Sequence, residues 1–254
     1  MFGLLKSWRR KRALRRVTLD PALWRQVTGE LPFLQGLTAQ EIQRLHDCTV
    51  LFLQEKEMHG ARGFIPTDAV RLSIAVQACL PILNLGLDAY QGWVGIVIYP
   101  GEFKVRREEM DASGVVHEYD DELSGEAWPG GPVILSWQDI KLGAAGYNVV
   151  IHEFAHKLHM SRGDMDDFPQ PHAHMDRERW LAAWDEAYHR FCDEVDRGRE
   201  TLIDPYASEQ PAEFFAVLSE AFFTLPQAVR SIYPALYAQL TLFYRQDPAA
   251  RLPP

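Results

Sequence analysis

Residues 147–160 read YNVVIHEFAHKLHM and contain the motif HExxH between His152 and His156. Apolar residues surround the motif, and this pattern predicts a helix that is buried on most sides. Residues four apart on a helix point in nearly the same direction and lie about 6 Å apart along its axis, so both imidazoles can bind one metal ion. Glu153 would stand beside them, where a carboxylate can take a proton from a water that zinc activates. The segment therefore predicts a catalytic zinc site on a helix.

The third protein ligand of such a site must come from elsewhere in the chain. The extended motif, with a third histidine six residues after the second, is absent because Arg162 stands there. His159 lies about two helical turns from His152, too far along the axis to share its metal. Glu213, in the first turn of a predicted apolar helix, is the best candidate, with complementation of the helix dipole as the alternative role. Glu220 would lie on nearly the same side of that helix and could orient a ligand imidazole.

The surrounding segments predict a mixed architecture. Residues 94–99 (VGIVIY) and 133–137 (VILSW) are apolar and rich in β-branched side chains, which predicts two buried strands. Residues 102–128 between them are polar and acidic, and residues 114–117 and 118–119 within them predict an edge strand or a loop. Residues 161–176 predict a loop. Helices are predicted over residues 38–58, 67–83, 147–160, 177–197, 211–224 and 234–246. Strands in the middle of the chain with helices on both sides predict the α+β class.

The composition is that of an ordinary globular protein, with 47% hydrophobic and 24% charged residues among 254. It excludes a disordered or fibrous chain. Cys48, Cys79 and Cys192 are far apart and form no CxxC pair, so neither a disulfide framework nor a cysteine zinc site is expected. A reducing cytoplasm is the predicted location. No transmembrane segment is predicted, because the chain has no run of about 18 apolar residues.

Charge is distributed unevenly along the chain. The net charge is −9, yet residues 1–16 carry seven basic side chains and no acidic one, so the remainder has a net charge of −16. The acidic body argues against direct binding of nucleic acid. A solvated terminus is the favoured interpretation of the basic segment. The alternative is weak contact with anionic lipid or nucleic acid, with apolar anchors at Phe2, Leu4, Leu5 and Trp8.

Two long motifs carry a family resemblance. HEFAHKL (152–158) and DPYASEQPAEFFAVLSEAFF (204–223) resemble the Mlc titration factor A family of bacterial zinc peptidases, which is similar to the catalytic domain of anthrax lethal factor. The resemblance covers most of the chain, and further family landmarks are LPILNLGLD (80–88), VIYPGEF (97–103), GPVILSW (131–137) and FYRQDP (243–248). We expect a basic tail over residues 1–16, a helical portion over 17–90 and a zincin-like catalytic core over 91–254, all forming one α+β unit.

The resemblance implies a gluzincin-type site that holds one zinc ion per chain. His152, His156 and Glu213 would be the zinc ligands, and Glu153 the catalytic base. Tyr206 corresponds to a tyrosine that assists the oxyanion, a role in which a phenol can donate to developing charge. The family pattern also contains an upstream histidine, matched here by His117, which would approach the metal or the substrate cleft.

The implied activity is hydrolysis of peptide bonds in a peptide or protein substrate. The resemblance suggests an aminopeptidase-like activity and a regulatory role in control of the glucose phosphotransferase genes. The alternative is a non-catalytic binding protein that sequesters the transcriptional repressor Mlc, and an acidic surface is compatible with a basic DNA-binding partner. A purely structural zinc site is disfavoured because two histidines and one glutamate leave an open coordination position.

Overall fold

The structure, a computed structural model, describes residues 2–110, 116–143, 146–161 and 167–252, without the side chains of residues 2–5, 104–110 and 116–122. The helices are α1 (Phe2–Arg16), α2 (Pro21–Gly29), α3 (Ala39–Glu55), α4 (Asp68–Cys79), α5 (Trp137–Leu142), α6 (Val149–Met160), α7 (Arg177–Asp196), α8 (Pro211–Thr224), α9 (Pro226–Ile232), α10 (Pro234–Tyr244) and α11 (Pro248–Arg251). The strands are β1 (Glu57–Gly60), β2 (Gly95–Tyr99), β3 (Phe103–Met110), β4 (Val116–Leu123), β5 (Gly125–Ala127) and β6 (Val133–Ser136). These elements confirm the α+β class.

A four-stranded sheet places its edge beside the helix that carries HExxH. Its order is β1-β2-β6-β5, with β1, β2 and β6 parallel and β5 antiparallel to β6. Alternate residues of the central strands, such as Ile96 and Leu135, are fully buried, as expected for strands covered by helices. β5 lies against α6, so the backbone of an edge strand borders the candidate site.

The polar segment after β2 forms a second, two-stranded sheet. β3 and β4 pair antiparallel, with Phe103 opposite Leu123 and Met110 opposite Val116. The sequence predicted one edge strand or a loop here, because charged residues on both faces hide the period-2 apolar pattern of a strand. The backbone of His117 pairs with that of Glu109 in this hairpin, and the His117 side chain lies outside the described part of the chain.

α6 and α8 pack against each other and form the centre of the core. On α6, the Phe154 ring contacts the rings of Phe52, Tyr90 and Trp93 at centroid distances of 5.0–5.6 Å. On α8, every residue from Glu213 to Phe223 is buried. The sequence predictions of helices over 147–160 and 211–224 are confirmed to within two residues.

The N-terminal region differs from the prediction in two ways. The capping box of Thr38 and Glu41 starts α3 as predicted, but the helix ends at Glu55, since the next residues pair with β2 as strand β1. The basic segment forms α1, whereas its charge predicted a solvated terminus. α1 contacts α3, with an ion pair of 2.7 Å from Arg10 Nε to Glu55 Oε1.

Within the described residues, no helix of the protein has both the length and the apolar character needed to cross a bilayer.

Candidate metal centre and cleft

The start of α6 is fixed by hydrogen bonds around Asn148, its N-cap residue. The Asn148 Oδ1 atom accepts from the backbone N–H of Ile151 at 2.9 Å, which satisfies a donor that the first turn leaves free. The Asn148 amide nitrogen donates to Gln77 Oε1 on α4 at 2.7 Å. The second of these buried bonds attaches the start of the motif helix to α4.

Three potential ligand atoms converge between α6 and α8. His152 Nε2 lies 3.1 Å from His156 Nε2 and 3.1 Å from Glu213 Oε2, and His156 Nε2 lies 3.4 Å from Glu213 Oε2. Ligand atoms bound at 2.0–2.1 Å to a tetrahedral zinc ion are about 3.3 Å from one another. The spacing therefore fits a metal ion, and this group of residues could hold one.

Glu220 orients the first of these imidazoles. The Glu220 Oε1 atom lies 2.8 Å from His152 Nδ1, and Glu220 Oε2 accepts a short hydrogen bond from the backbone N–H of Asn148. When Nδ1 carries the proton donated to Glu220, the Nε2 lone pair faces the centre of the group. Burial raises the pKa of Glu220, although the adjacent His152 opposes this shift.

The charges at the centre also favour a cation. Burial by itself would lower the pKa of His152, but hydrogen bonds to Glu213 and Glu220 raise it well above its usual value. Burial opposes ionisation of Glu213, yet the bonds from His152 and His156 hold its pKa far below the usual range. Clustered buried carboxylates are costly unless a positive charge accompanies them. A bound metal would provide that charge and replace a shared imidazole proton.

Glu153 lies beside the ligand group and is 4% exposed. Its Oε2 atom is buried and has no hydrogen-bond partner among the described residues. Burial raises the pKa of Glu153 to about 8, and the carboxylates of Glu213 and Glu220 add to this effect. This raised pKa favours the protonated form at neutral pH. A cation held by the adjacent ligand group would favour the carboxylate, whose free oxygen could then accept a proton from a water.

Two cavities of about 1110 and 390 Å³ meet at the ligand group, and Glu153, Tyr206 and Glu213 line both. Tyr206 lies in a single 3-10 turn before α8 and is 42% exposed. Burial and the neighbouring carboxylates of Glu213 and Glu209 raise the pKa of Tyr206, so the phenol keeps its proton at neutral pH. The cleft thus contains the protonated phenol of Tyr206 and the buried carboxyl group of Glu153, both lining the cavities at the ligand group.

The structure brings together most of the residues singled out from the sequence. His152, Glu153, His156, Tyr206, Glu213 and Glu220 all lie at this centre. His159 lines the smaller cavity and contacts the Phe215 ring, away from the ligand atoms. His117 cannot be placed, because its side chain is among those not described.

Sequence reasoning missed two contributors, Gly125 and Asn148. An added Cβ on Gly125 would lie 2.7 Å from Glu153 Cγ and 2.8 Å from its Cδ, so the edge strand β5 leaves no room for a side chain at residue 125 while Glu153 keeps its position. No local sequence pattern predicts such a contact, because the two residues are distant in the chain. Asn148 could have been found, because Asn before an apolar helical run is a common N-cap.

Comparison with known proteins gives matches over nearly the whole chain. A family model described as glucose-regulated metallo-peptidase M90 matches residues 5–245. An uncharacterised protein of Synechocystis sp. is 36% identical over 248 residues, which cover 95% of this chain and 90% of that protein. Mlc titration factor A of Salmonella typhimurium is 41% identical over 226 residues, covering 87% and 85% respectively. The protein of the same name from Salmonella enteritidis matches to the same extent.

Proposed function

The chain belongs to the glucose-regulated metallo-peptidase M90 family, and from this premise we propose that it is a zinc-dependent peptidase of the gluzincin type. The observation that carries the proposal is the convergence of His152 Nε2, His156 Nε2 and Glu213 Oε2 beside the buried carboxylate of Glu153. Three protein ligands leave a coordination position open, which is the arrangement of catalytic rather than structural sites.

Zinc is the metal that this donor set suits best. Two imidazoles and one carboxylate are ligands that zinc accepts in catalytic sites, whereas magnesium and calcium prefer oxygen alone. When bound, zinc would supply Lewis-acid chemistry, polarising the scissile carbonyl group and making a water more acidic. We propose one zinc ion per chain, held by His152, His156 and Glu213.

The chain's own residues would then perform the proton transfers. Glu153 accepts a proton from the attacking water at its carboxylate and delivers it to the nitrogen of the departing amine. Tyr206 donates its phenolic hydrogen to the oxygen that gains negative charge as the carbonyl is attacked. Glu220 keeps His152 in the required orientation throughout through the bond to Nδ1.

The edge strand β5 would bind the substrate backbone. Residues Gly125, Glu126 and Ala127 line the smaller cavity, and an extended peptide can add to a sheet edge through main-chain hydrogen bonds. We therefore propose peptides or unfolded protein segments as the substrate class, in a zincin-like arrangement of sheet edge and motif helix. Aminopeptidase-like cleavage is the proposed mode, and peptides with a blocked N-terminus would then be poor substrates.

A second function, sequestration of the repressor Mlc, is supported by the name of the Salmonella relatives. The net charge of −9 suits a basic DNA-binding partner. Such binding would connect the protein to control of the glucose phosphotransferase genes and would take place in the cytoplasm. The free state of Cys48, Cys79 and Cys192 is consistent with that reducing compartment.

The substitution Glu153→Gln separates the two functions. We expect it to lower peptide hydrolysis by about 10²–10⁴-fold, since the amide cannot accept the proton, while zinc content and binding to purified Mlc are unchanged. The matched control is Glu186→Gln, at an exposed position on α7, which should alter neither. Hydrolysis that survives Glu153→Gln in zinc-loaded protein would overturn the proposed mechanism.

A further inference from the structure

The outward face of α1 carries a concentrated positive charge that the proposed peptidase function does not use. The chain has no acidic residue before Asp20. Trp8 is 57% exposed, and five basic side chains are exposed on the same helix, namely Arg9, Lys11, Arg12, Arg15 and Arg16. None of these five forms an ion pair with any residue that the structure describes.

The opposite face of α1 holds the helix on the body of the protein. Arg10 bonds Glu55 at 2.7 and 3.1 Å and lies 2.9 Å from Asp88, and Lys6 lies 2.5 Å from Asp88. Ala13 and Leu14 are half-buried on this side. Two of the helix's cations therefore fix its position, and the other five are free to meet a partner.

We propose that the outward face of α1 docks on an anionic lipid bilayer. Each Lys or Arg near an anionic membrane strengthens binding by about fivefold, and their aliphatic stems can lie in the headgroup layer. The guanidinium of Arg12 lies 5.3 Å from the centroid of the Trp8 ring. An indole bordered by cations suits the membrane–water interface, where its ring is buried and its N–H stays hydrated.

The acidic remainder of the chain supports one orientation of docking. Residues outside the first 16 have a net charge of −16, so an anionic surface repels them and attracts only the α1 face. None of the α1 and α3 side chains that the structure describes lines either cavity at the metal centre. A bilayer on this face would therefore leave the cleft accessible, and the proposal stands whether or not the protein is a peptidase.

The test is sedimentation of the full chain with vesicles of phosphatidylcholine containing about 30% phosphatidylglycerol, beside pure phosphatidylcholine vesicles. We expect binding to the anionic vesicles only, and a loss of at least about tenfold between about 50 and 300 mM salt. Replacing Arg9, Lys11, Arg12, Arg15 and Arg16 together by Gln should lower binding by at least about tenfold. Trp8→Ala should lower it several-fold.

The matched control removes five exposed arginines from the rest of the surface, Arg25, Arg62, Arg177, Arg179 and Arg197, also by replacement with Gln. It has the same net charge as the α1 variant and should bind as the unaltered protein does. Equal loss in both variants, equal binding to neutral vesicles, or no binding to either vesicle would overturn the proposal. Tighter binding to a duplex DNA than to anionic vesicles, lost in the α1 variant, would assign the face to nucleic acid instead.

Discussion

His152 contacts both the other proposed metal ligands and the carboxylate of Glu220. Its Nε2 atom faces His156 and Glu213, and its Nδ1 atom faces Glu220. Because the two ring nitrogens make these contacts, the orientation of the imidazole depends on Glu220, which is not itself a proposed ligand. The properties of the centre should therefore respond to Glu220 as well as to the proposed ligands.

The substitution Glu220→Gln tests whether the orientation of His152 depends on the charge of Glu220, because it leaves the side-chain shape nearly unchanged. The amide keeps the size of the side chain but removes the charge that holds the His152 Nδ1 proton, so we expect zinc affinity to fall about 10–100-fold. Competition with a chelator of known affinity measures the change, with Glu186→Gln as the control. Unchanged zinc affinity would show that the bond to Glu220 does not orient the ring.

Gly125 determines where Glu153 can lie. A Cβ at this position would be 2.7–2.8 Å from Glu153 Cγ and Cδ, so Gly125→Ala should push the carboxylate out of place. We expect kcat/KM for a peptide substrate to fall about 10²-fold, since small displacements of a catalytic group have effects of this size. Zinc content should stay the same.

Gly95→Ala is the matched control for that substitution. Gly95 also lies in a strand of the main sheet, but its added Cβ would meet Pro132 at 3.6 Å, an ordinary contact. The control should retain full activity. If Gly125→Ala retains it too, Glu153 can relax away from the strand and its position is not limiting.

At the level of elements, the turn between β5 and β6 is attached to α6 by a buried lysine. The Lys157 ammonium donates to the carbonyl oxygens of Trp128 and Gly131 at 2.6 and 2.8 Å and lies 4.7 Å from the Trp93 ring centroid. The Lys56 ammonium lies 3.6 Å from the centroid of the same ring. Lys157, the charged residue directly after HExxH, thus attaches the turn that follows the cleft-bordering strand β5 to the motif helix.

Lys157→Met should destabilise the fold through this turn. The substitution keeps most of the aliphatic volume but leaves two carbonyl groups without a donor, so we expect the free energy of unfolding to fall by about 1–3 kcal/mol. Denaturant titration measures this change, with Lys141→Met, at an exposed position on α5, as the control. An equal, small effect in both variants would contradict the role assigned to Lys157.

The elements around the motif could be predicted from the sequence, whereas those set by distant pairing could not. α6 and α8 have local signals, a long apolar period and a cap or a proline at the start. β1 has only four residues and three are exposed, so its pairing with β2 leaves no pattern in the sequence. α1 depends on Glu55 and Asp88, neither of which is near it in the chain.

The same distinction applies to the candidate site. The HExxH spacing alone identifies His152, His156 and Glu153, because the geometry is local to one helix. Glu213 was the best candidate for the third ligand from its place in an apolar helix. A choice between that role and complementation of the helix dipole needed either the family resemblance, which the comparisons confirm, or the structure. Gly125 could be identified only from the structure. It matters because it has no side chain at the point where β5 passes Glu153 of α6.

For the molecule as a whole, the N-terminal helices and the motif helix share one core. Buried apolar residues form a continuous cluster from Val27 to Ala249, and the Gln77–Asn148 bond joins α4 to the start of α6. At the chain's other end, Arg251 donates to the carbonyl groups of Phe33 and Gln35. Segments from both ends of the chain therefore contribute to the core on which the centre is built.

The dependence of peptide hydrolysis on bound zinc decides whether His152, His156 and Glu213 form a catalytic centre. The protein is freed of metal with a chelator, and zinc is then returned in steps while metal content and hydrolysis rate are followed on the same sample. A catalytic zinc at these ligands predicts no hydrolysis without metal and a rate that rises in proportion to zinc and saturates at about one ion per chain. Full hydrolysis by metal-free protein, or a chain with intact His152, His156 and Glu213 that binds no zinc, would contradict it.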